Sequence, residues 1–238
     1  MLLLEFRNFL LAGFVNTLLL SLVLTAGATL CAVLFTVALS TRSTVLTGFV
    51  YGLVECLRDV PLMVTVLLAY FVLPKAGISL NPFWSSALSI SLWGGANGAH
   101  IIRAGLTAVP KGQREAADAF GLRGWRKLIL VVLPQAMPVI IPPYVGLVTG
   151  LVQASSLGAV IGVEEVFRAG QVIIEQTTLT RGGSPAYLVY GFLLVIYFVL
   201  CWLISHVGRR FEQYFTRHLT GADDASPLPR DATQVVPA

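Results

Sequence analysis

The chain has 238 residues, 56% of them hydrophobic and 12% charged, with a net charge of +4 and three cysteines. Soluble domains carry roughly 25% charged residues. Half that value, with a mean hydropathy of +0.80, excludes an ordinary soluble protein and predicts an all-α integral membrane protein. The length allows about five or six spans of roughly 20 residues each, so no large extramembrane domain fits and any energy-consuming catalysis must come from another subunit.

The N-terminal stretch MLLLEFRNFL has no basic region ahead of an apolar one and no small-residue cleavage site, so it reads as a retained end. Residues 8–41 are uncharged and predict span 1 near 12–36. Span 2 covers about 48–72 and is interrupted by Glu55, Arg58 and Asp59; a turn follows at 74–82 and span 3 at about 83–106. A polar, basic insert occupies about 109–135, and span 4 lies near 138–160. A charged loop is expected at about 162–184 and span 5 at about 186–207. Residues 1–218 thus form one transmembrane domain of five helices. The stretch 219–238, rich in Asp, Pro and Ala, predicts a disordered tail.

Five spans put the two ends on opposite sides. Ten Lys and Arg residues fall on the side of Arg42, the insert and the tail, and four on the other; Arg58 and Arg103 lie within spans. The excess marks the cytoplasm: N-terminus outside, insert and C-terminus inside. The positive charge therefore follows membrane sidedness and implies no nucleic-acid partner. Cys31, Cys56 and Cys201 lie in apolar stretches without ligand spacing and read as packing residues, so no metal is expected.

The insert predicts two short helices with a glycine elbow. Residues 113–120 have helical composition, Gly121 stops that helix, Gly124 permits a second turn, and residues 125–132 form another helix that Pro134 ends. Small residues on the first helix let a partner approach closely. Pro134, Pro138, Pro142 and Pro143 predict an irregular, kinked start to span 4.

Glu115, Ala116, Ala117, then Gly121, then Val131, Leu133 and Pro134 stand at the spacing of the cytoplasmic motif of ABC importer permeases. The chain resembles that family, and further residues resemble its polar amino-acid uptake branch (histidine, glutamate, glutamine, arginine and opine permeases). These are Gly13, Asn16 and Thr17; Arg42 and Thr44; Glu55, Arg58, Pro61 and Leu62; Arg103; 109–113; Gln135; Pro142 and Pro143; and Ser155 and Ser156. The match spans about 10–215. The resemblance implies a type I importer permease of five transmembrane helices in a bacterial inner membrane, transporting a polar amino acid or similar small solute. Glu115, Ala116, Ala117, Gly121, Leu133 and Pro134 would form the coupling helix that docks on the ATPase. Implied partners are two ABC ATPase subunits, a second permease of the same or a different chain, an extracytoplasmic solute-binding protein and membrane lipid. The chain has no G-x-x-x-x-G-K-[ST] loop, so nucleotide binds elsewhere; it carries no cofactor and no catalytic residue.

Polar groups within spans are the substrate-path candidates: Glu55, Arg58, Pro61, Arg103, Gln153 and Ser155. A charge at a span centre costs roughly 2.5–3.5 kcal/mol. Glu55 and Arg58 therefore either pair across one turn and lock a helix broken at Pro61, or face a water-filled path. Ser155 and Ser156 either bond their own helix carbonyls or meet solute. His100 reads as a polar packing group. Asp59 and Val60, Asn97, His100, Gly146, and Gln153 with Ala154 depart from the family pattern; they mark a divergent member or the less substrate-engaged half of a heterodimer. Two rival readings are a stand-alone ion-coupled carrier and an intramembrane enzyme. The first lacks evident inverted halves, the second a nucleophile–base pair.

Overall fold

A computed structural model describes residues 2–220, with side chains to residue 215. It is helical throughout: α1 (Leu2–Glu5), α2 (Arg7–Leu39), α3 (Thr44–Asp59), α4 (Leu62–Phe71), α5 (Pro82–Ala108), α6 (Lys111–Ala119), α7 (Gly124–Lys127), α8 (Leu133–Ala154), α9 (Val166–Arg181) and α10 (Ala186–Thr220). Three stretches are long and apolar enough to cross a membrane, Arg7–Leu39, Gly124–Ile161 and Ala186–Phe215. Their outward side chains are bare and apolar, as Leu22, Val37, Leu194 and Phe198 illustrate.

α2 and α5 form the centre. Lipid tails are as apolar as leucine, so helices in a membrane gain most by close approach of small residues. Ala28 and Ala32 on α2 meet Gly94, Gly95 and Gly98 on α5, where a Cβ placed on Gly95 would lie 2.3 Å from the Cys31 Cβ. Leu20, Leu24, Ile90 and Leu151 fill the space above this seam. Among glycines four residues apart, Gly94 and Gly98 are consumed in packing inside the chain, whereas Gly48, Gly52, Gly146 and Gly150 have open space beside them.

Span 2 is two helices, α3 and α4, parted at Val60 and Pro61, as the charges and the proline predicted. Two expectations fail. The charged 162–184 region is not a loop but contains α9, which buries Val166, Ala169, Gly170, Ile173 and Thr177. Those positions recur at helical spacing and form one stripe, while Glu164, Glu175 and Arg181 face outward. Pro134 does not end the insert's second helix either. A π turn, Leu128–Val132, follows α7 and runs without a break into α8. Leu133 N–H reaches back five residues to the Leu128 carbonyl, and this wider turn accommodates the proline that lacks an N–H. Pro138, Pro142 and Pro143 lie inside α8. α10 runs past the expected end of span 5 at about 207 to Thr220, and the expected tail beyond it lies outside the described residues.

Candidate functional site

Helix α6 stands off the bundle on three polar tethers. Arg114 donates to the Leu106 carbonyl at the end of α5. Gln135 donates to Gln113 at 3.2 Å, and Lys127 to Asp118 at 2.7 Å. The helix closes in a left-handed cap: Leu122 N–H bonds the Ala117 carbonyl and Gly121 N–H that of Asp118, both at 3.0 Å. Gly121 holds φ +76°, which L side chains rarely adopt, so this turn demands glycine. Ala117 is buried, while Glu115, Ala116 and Gly121 are exposed beside two bare aromatics, Phe120 (86% exposed) and Trp125 (66%). Leu133 and Pro134 are half-buried at the foot of α8. The geometry is a small-residue ridge fixed at its base and flanked by rings, open to a partner in water.

Glu55 and Arg58 do pair, at 3.0 Å across one turn of α3. His100, on α5, joins them: its Nε2 lies 3.0 Å from Glu55 and 3.2 Å from Arg58 Nη1. One nitrogen cannot donate to the carboxylate and accept from the guanidinium at once, so the tautomer selects one partner. All three are half-buried. His100 was read as packing; it is 42 residues from Arg58 in sequence, and the signal that could have found it is only that both face the α3–α5 seam. Pro61 is exposed at the α3–α4 break.

The other path candidates lie elsewhere. Gln153 lines a cavity of about 290 Å³ between α8, α9 and α10, with Ser156, Phe167, Tyr190 and Tyr197. Ser155 is fully buried and donates to the Val152 carbonyl at 2.7 Å, so its neighbour Ser156 lines the cavity in its place. Arg103 faces a separate cavity beside Arg42. The candidates therefore form three sites in one chain, not one.

Behind the Gln153 cavity lies a residue that sequence reasoning passed over. Glu165 is 0% exposed. It caps α9, accepting from Phe167 N–H at 2.8 Å and Arg168 N–H at 2.7 Å, and it accepts from the Tyr197 hydroxyl of α10 at 2.9 Å. Burial pushes its carboxyl above the usual carboxylate range, against those hydrogen bonds, which pull the other way. Beside it, Asn16 donates to the Glu164 carbonyl at 2.8 Å and Thr17 accepts from Val166 N–H at 3.0 Å. Gly13 lets the backbone of 165 and 166 approach, since a Cβ there would meet Val166 Cα at 3.1 Å. The Gly13, Asn16 and Thr17 pattern is thus the receptor for the 164–166 turn.

These features coincide with known proteins. Residues 28–218 match the family model described as binding-protein-dependent transport system inner membrane component. The chain is 34% identical over 166 residues to the L-cystine transport system permease TcyB of Bacillus subtilis, covering 70% of this chain and 69% of that one. It is 33% identical over 208 residues to the probable glutamine permease GlnM of the same organism (85% and 93% covered). With the glutamine permease GlnP of Escherichia coli it shares 33% over 162 residues (67% and 71%). The fold superposes on a crystal structure of an amino acid ABC transporter with histidines at a TM-score of 0.79 and 24% identity, covering 89% of this chain and 96% of that one. It also superposes on the inward-facing MetNI methionine ABC transporter at 0.72 and 20% identity, covering 90% and 99%. ATP hydrolysis in this family belongs to a separate subunit, which sets aside the stand-alone carrier and the intramembrane enzyme. The chain belongs to the binding-protein-dependent transport system inner membrane components and, within them, to the multi-pass permeases of amino-acid ABC importers.

Proposed function

We propose that this permease conducts a polar amino acid inward through five spans, α2, α3 with α4, α5, α8 and α10. The N-terminus lies outside, and α6, α7 and the C-terminus lie in the cytoplasm. The lysine and arginine asymmetry supports that orientation. Glu115, Ala116, Ala117 and Gly121 dock on a cytoplasmic ATPase, with Leu133 and Pro134 carrying its movement into α8. A solute-binding protein delivers solute at the outer face, and a second permease completes the path. Relatives named for glutamine and cystine support the substrate class.

The observation that carries this reading is the exposed, glycine-capped α6, tied by a short turn to α7, which runs without a break through the π turn into α8. A partner that moves this ridge moves the span. The Glu55, Arg58 and His100 cluster supplies charge, and the Gln153 cavity supplies hydrogen-bonding groups from Gln153, Ser156 and the two tyrosines, as a polar solute requires. Mass spectrometry of what co-purifies from the native membrane tests the docking. Recovery of an ATPase with the native chain, and its loss from a Glu115→Lys, Gly121→Asp variant, is the expected result. Absence of an ATPase under conditions that preserve membrane complexes would sink the assignment of α6.

A further inference from the structure

A cavity of about 430 Å³ lies where α2 ends and α3 begins, apart from the insert and from the Glu55 cluster. Arg42 faces it from the connecting turn and Arg103 from α5, and the hydroxyls of Thr41, Thr44, Thr47 and Tyr51 complete its polar wall. Among the described residues no carboxylate lines it. Among the described residues neither guanidinium makes an ion pair or a side-chain hydrogen bond. Arg103 is half-buried, and an unpaired guanidinium held among apolar helices needs a counter-charge. α3, which is 16 residues long, begins here and adds the positive end of its dipole.

We infer that this cavity holds a phosphate group, supplied by the headgroup of an anionic phospholipid. The Thr41 and Thr47 hydroxyls donate to backbone carbonyls, but two guanidinium forks with the Thr44 and Tyr51 hydroxyls still offer more donors than a carboxylate can accept, and they suit a tetrahedral oxyanion. The level in the membrane favours lipid as the source. α2 closes at Leu39 and α3 opens at Thr44, so the polar turn between them marks the water boundary. Immediately beside it, Val45 (84% exposed) and Phe49 (71%) present bare apolar surface on α3 along which acyl chains can lie. Basic pockets between membrane helices recognise headgroups in this way. The cytoplasmic leaflet is assigned by the orientation proposed above; the site itself does not depend on it.

The full-length chain, purified with the subunits it carries, is exchanged into nanodiscs of phosphatidylcholine mixed with phosphatidylglycerol. Retained phosphatidylglycerol is then counted by native mass spectrometry. The Arg42→Gln, Arg103→Gln variant is expected to retain it about thirtyfold more weakly, the worth of two cations near an anionic surface. An Arg209→Gln, Arg210→Gln variant, which removes the same charge from α10, should match the native chain. Equal loss in both variants, or loss in neither, overturns the site. If the glutamine variant fails to fold, Arg42→Lys with Arg103→Lys replaces it: charge without the fork gives weakened retention, and unchanged retention overturns the bidentate assignment. Inorganic phosphate, added without lipid, separates the sources. Failure of phosphate to compete supports the headgroup; displacement of lipid by millimolar phosphate overturns the lipid source. Nanodiscs expose both faces, so these results are independent of orientation, which labelling of a Ser43→Cys variant from either side of the membrane tests separately.

Discussion

Replacing Glu165 by alanine strips the acceptor from the Phe167 and Arg168 N–H groups and the Tyr197 hydroxyl, and from a longer contact with the Thr17 hydroxyl at 3.5 Å. Losing a helix N-cap costs about 0.5–2 kcal/mol, and a buried hydroxyl left without its acceptor adds about 1–3 kcal/mol. Because the site is fully closed to water, no solvent replaces the lost partner, and a total of about 2–4 kcal/mol is expected. Glutamine keeps the shape and one acceptor oxygen but turns its amide donors toward other donors, so it costs about 1 kcal/mol. The two variants also separate charge from shape. The native carboxyl holds its proton more tightly in the fold than at its ordinary value of 4.5. The stability it contributes is therefore full below that value and is lost as pH rises through the raised one. Glutamine does not titrate. Apparent melting temperatures of the detergent-purified chain, measured from about pH 4 to 8, should show the native protein losing its advantage over Glu165→Gln as pH rises. An advantage that grows with pH would mean that hydrogen bonding, not burial, dominates the carboxyl, and would refute the reasoning.

At the α2–α5 seam, Gly95→Ala should destabilise by about 1–3 kcal/mol. Its new methyl meets the backbone of Cys31 and Ala32 at 3.2 Å as well as the Cys31 side chain. Gly150→Ala, with nothing within 4 Å, should be neutral or gain about 0.5–1 kcal/mol. Equal thermal shifts in the two would discount the close packing. Gly121→Ala forces a left-handed alanine and should cost about 1–2 kcal/mol at the tip of α6; faster proteolysis there, with the rest of the chain protected, is the expected readout. A double-mutant cycle on Glu55 and His100 should return less than about 1 kcal/mol, because both side chains are roughly a third exposed. A coupling several times larger would contradict a part-hydrated cluster.

The long apolar runs were legible because a bilayer requires them: span 1 emerges as α2 with a few residues added at each end, and span 5 as α10, which starts where expected and runs thirteen residues further; the residues of span 3 form α5. The break at Pro61 and the glycine stop at 121 were legible for a local reason, since proline and left-handed glycine act on their own backbone. α9 was missed because the five charges of the 162–184 region outweighed an apolar stripe at 166, 169, 170, 173 and 177. The failure at Pro134 came from treating proline as a terminator, when a π turn ahead of it let the helix continue. The polar site divides in the same way. Glu55 and Arg58 are three residues apart and could be paired on paper. His100, and the Thr17 and Tyr197 partners of Glu165, come from distant segments, and only the packing of α5 on α3, or of α2 and α10 on α9, brings them together.

The unbroken path from Gly124 to Ile161 makes the insert one end of a lever. At about 1.5 Å per residue, its 38 residues span roughly 57 Å. A tilt of about ten degrees at the insert therefore carries the far end through roughly 10 Å, enough to open or shut the space beside Gln153. The four prolines along the arm set how much of that stroke reaches the far end and how much is lost in bending.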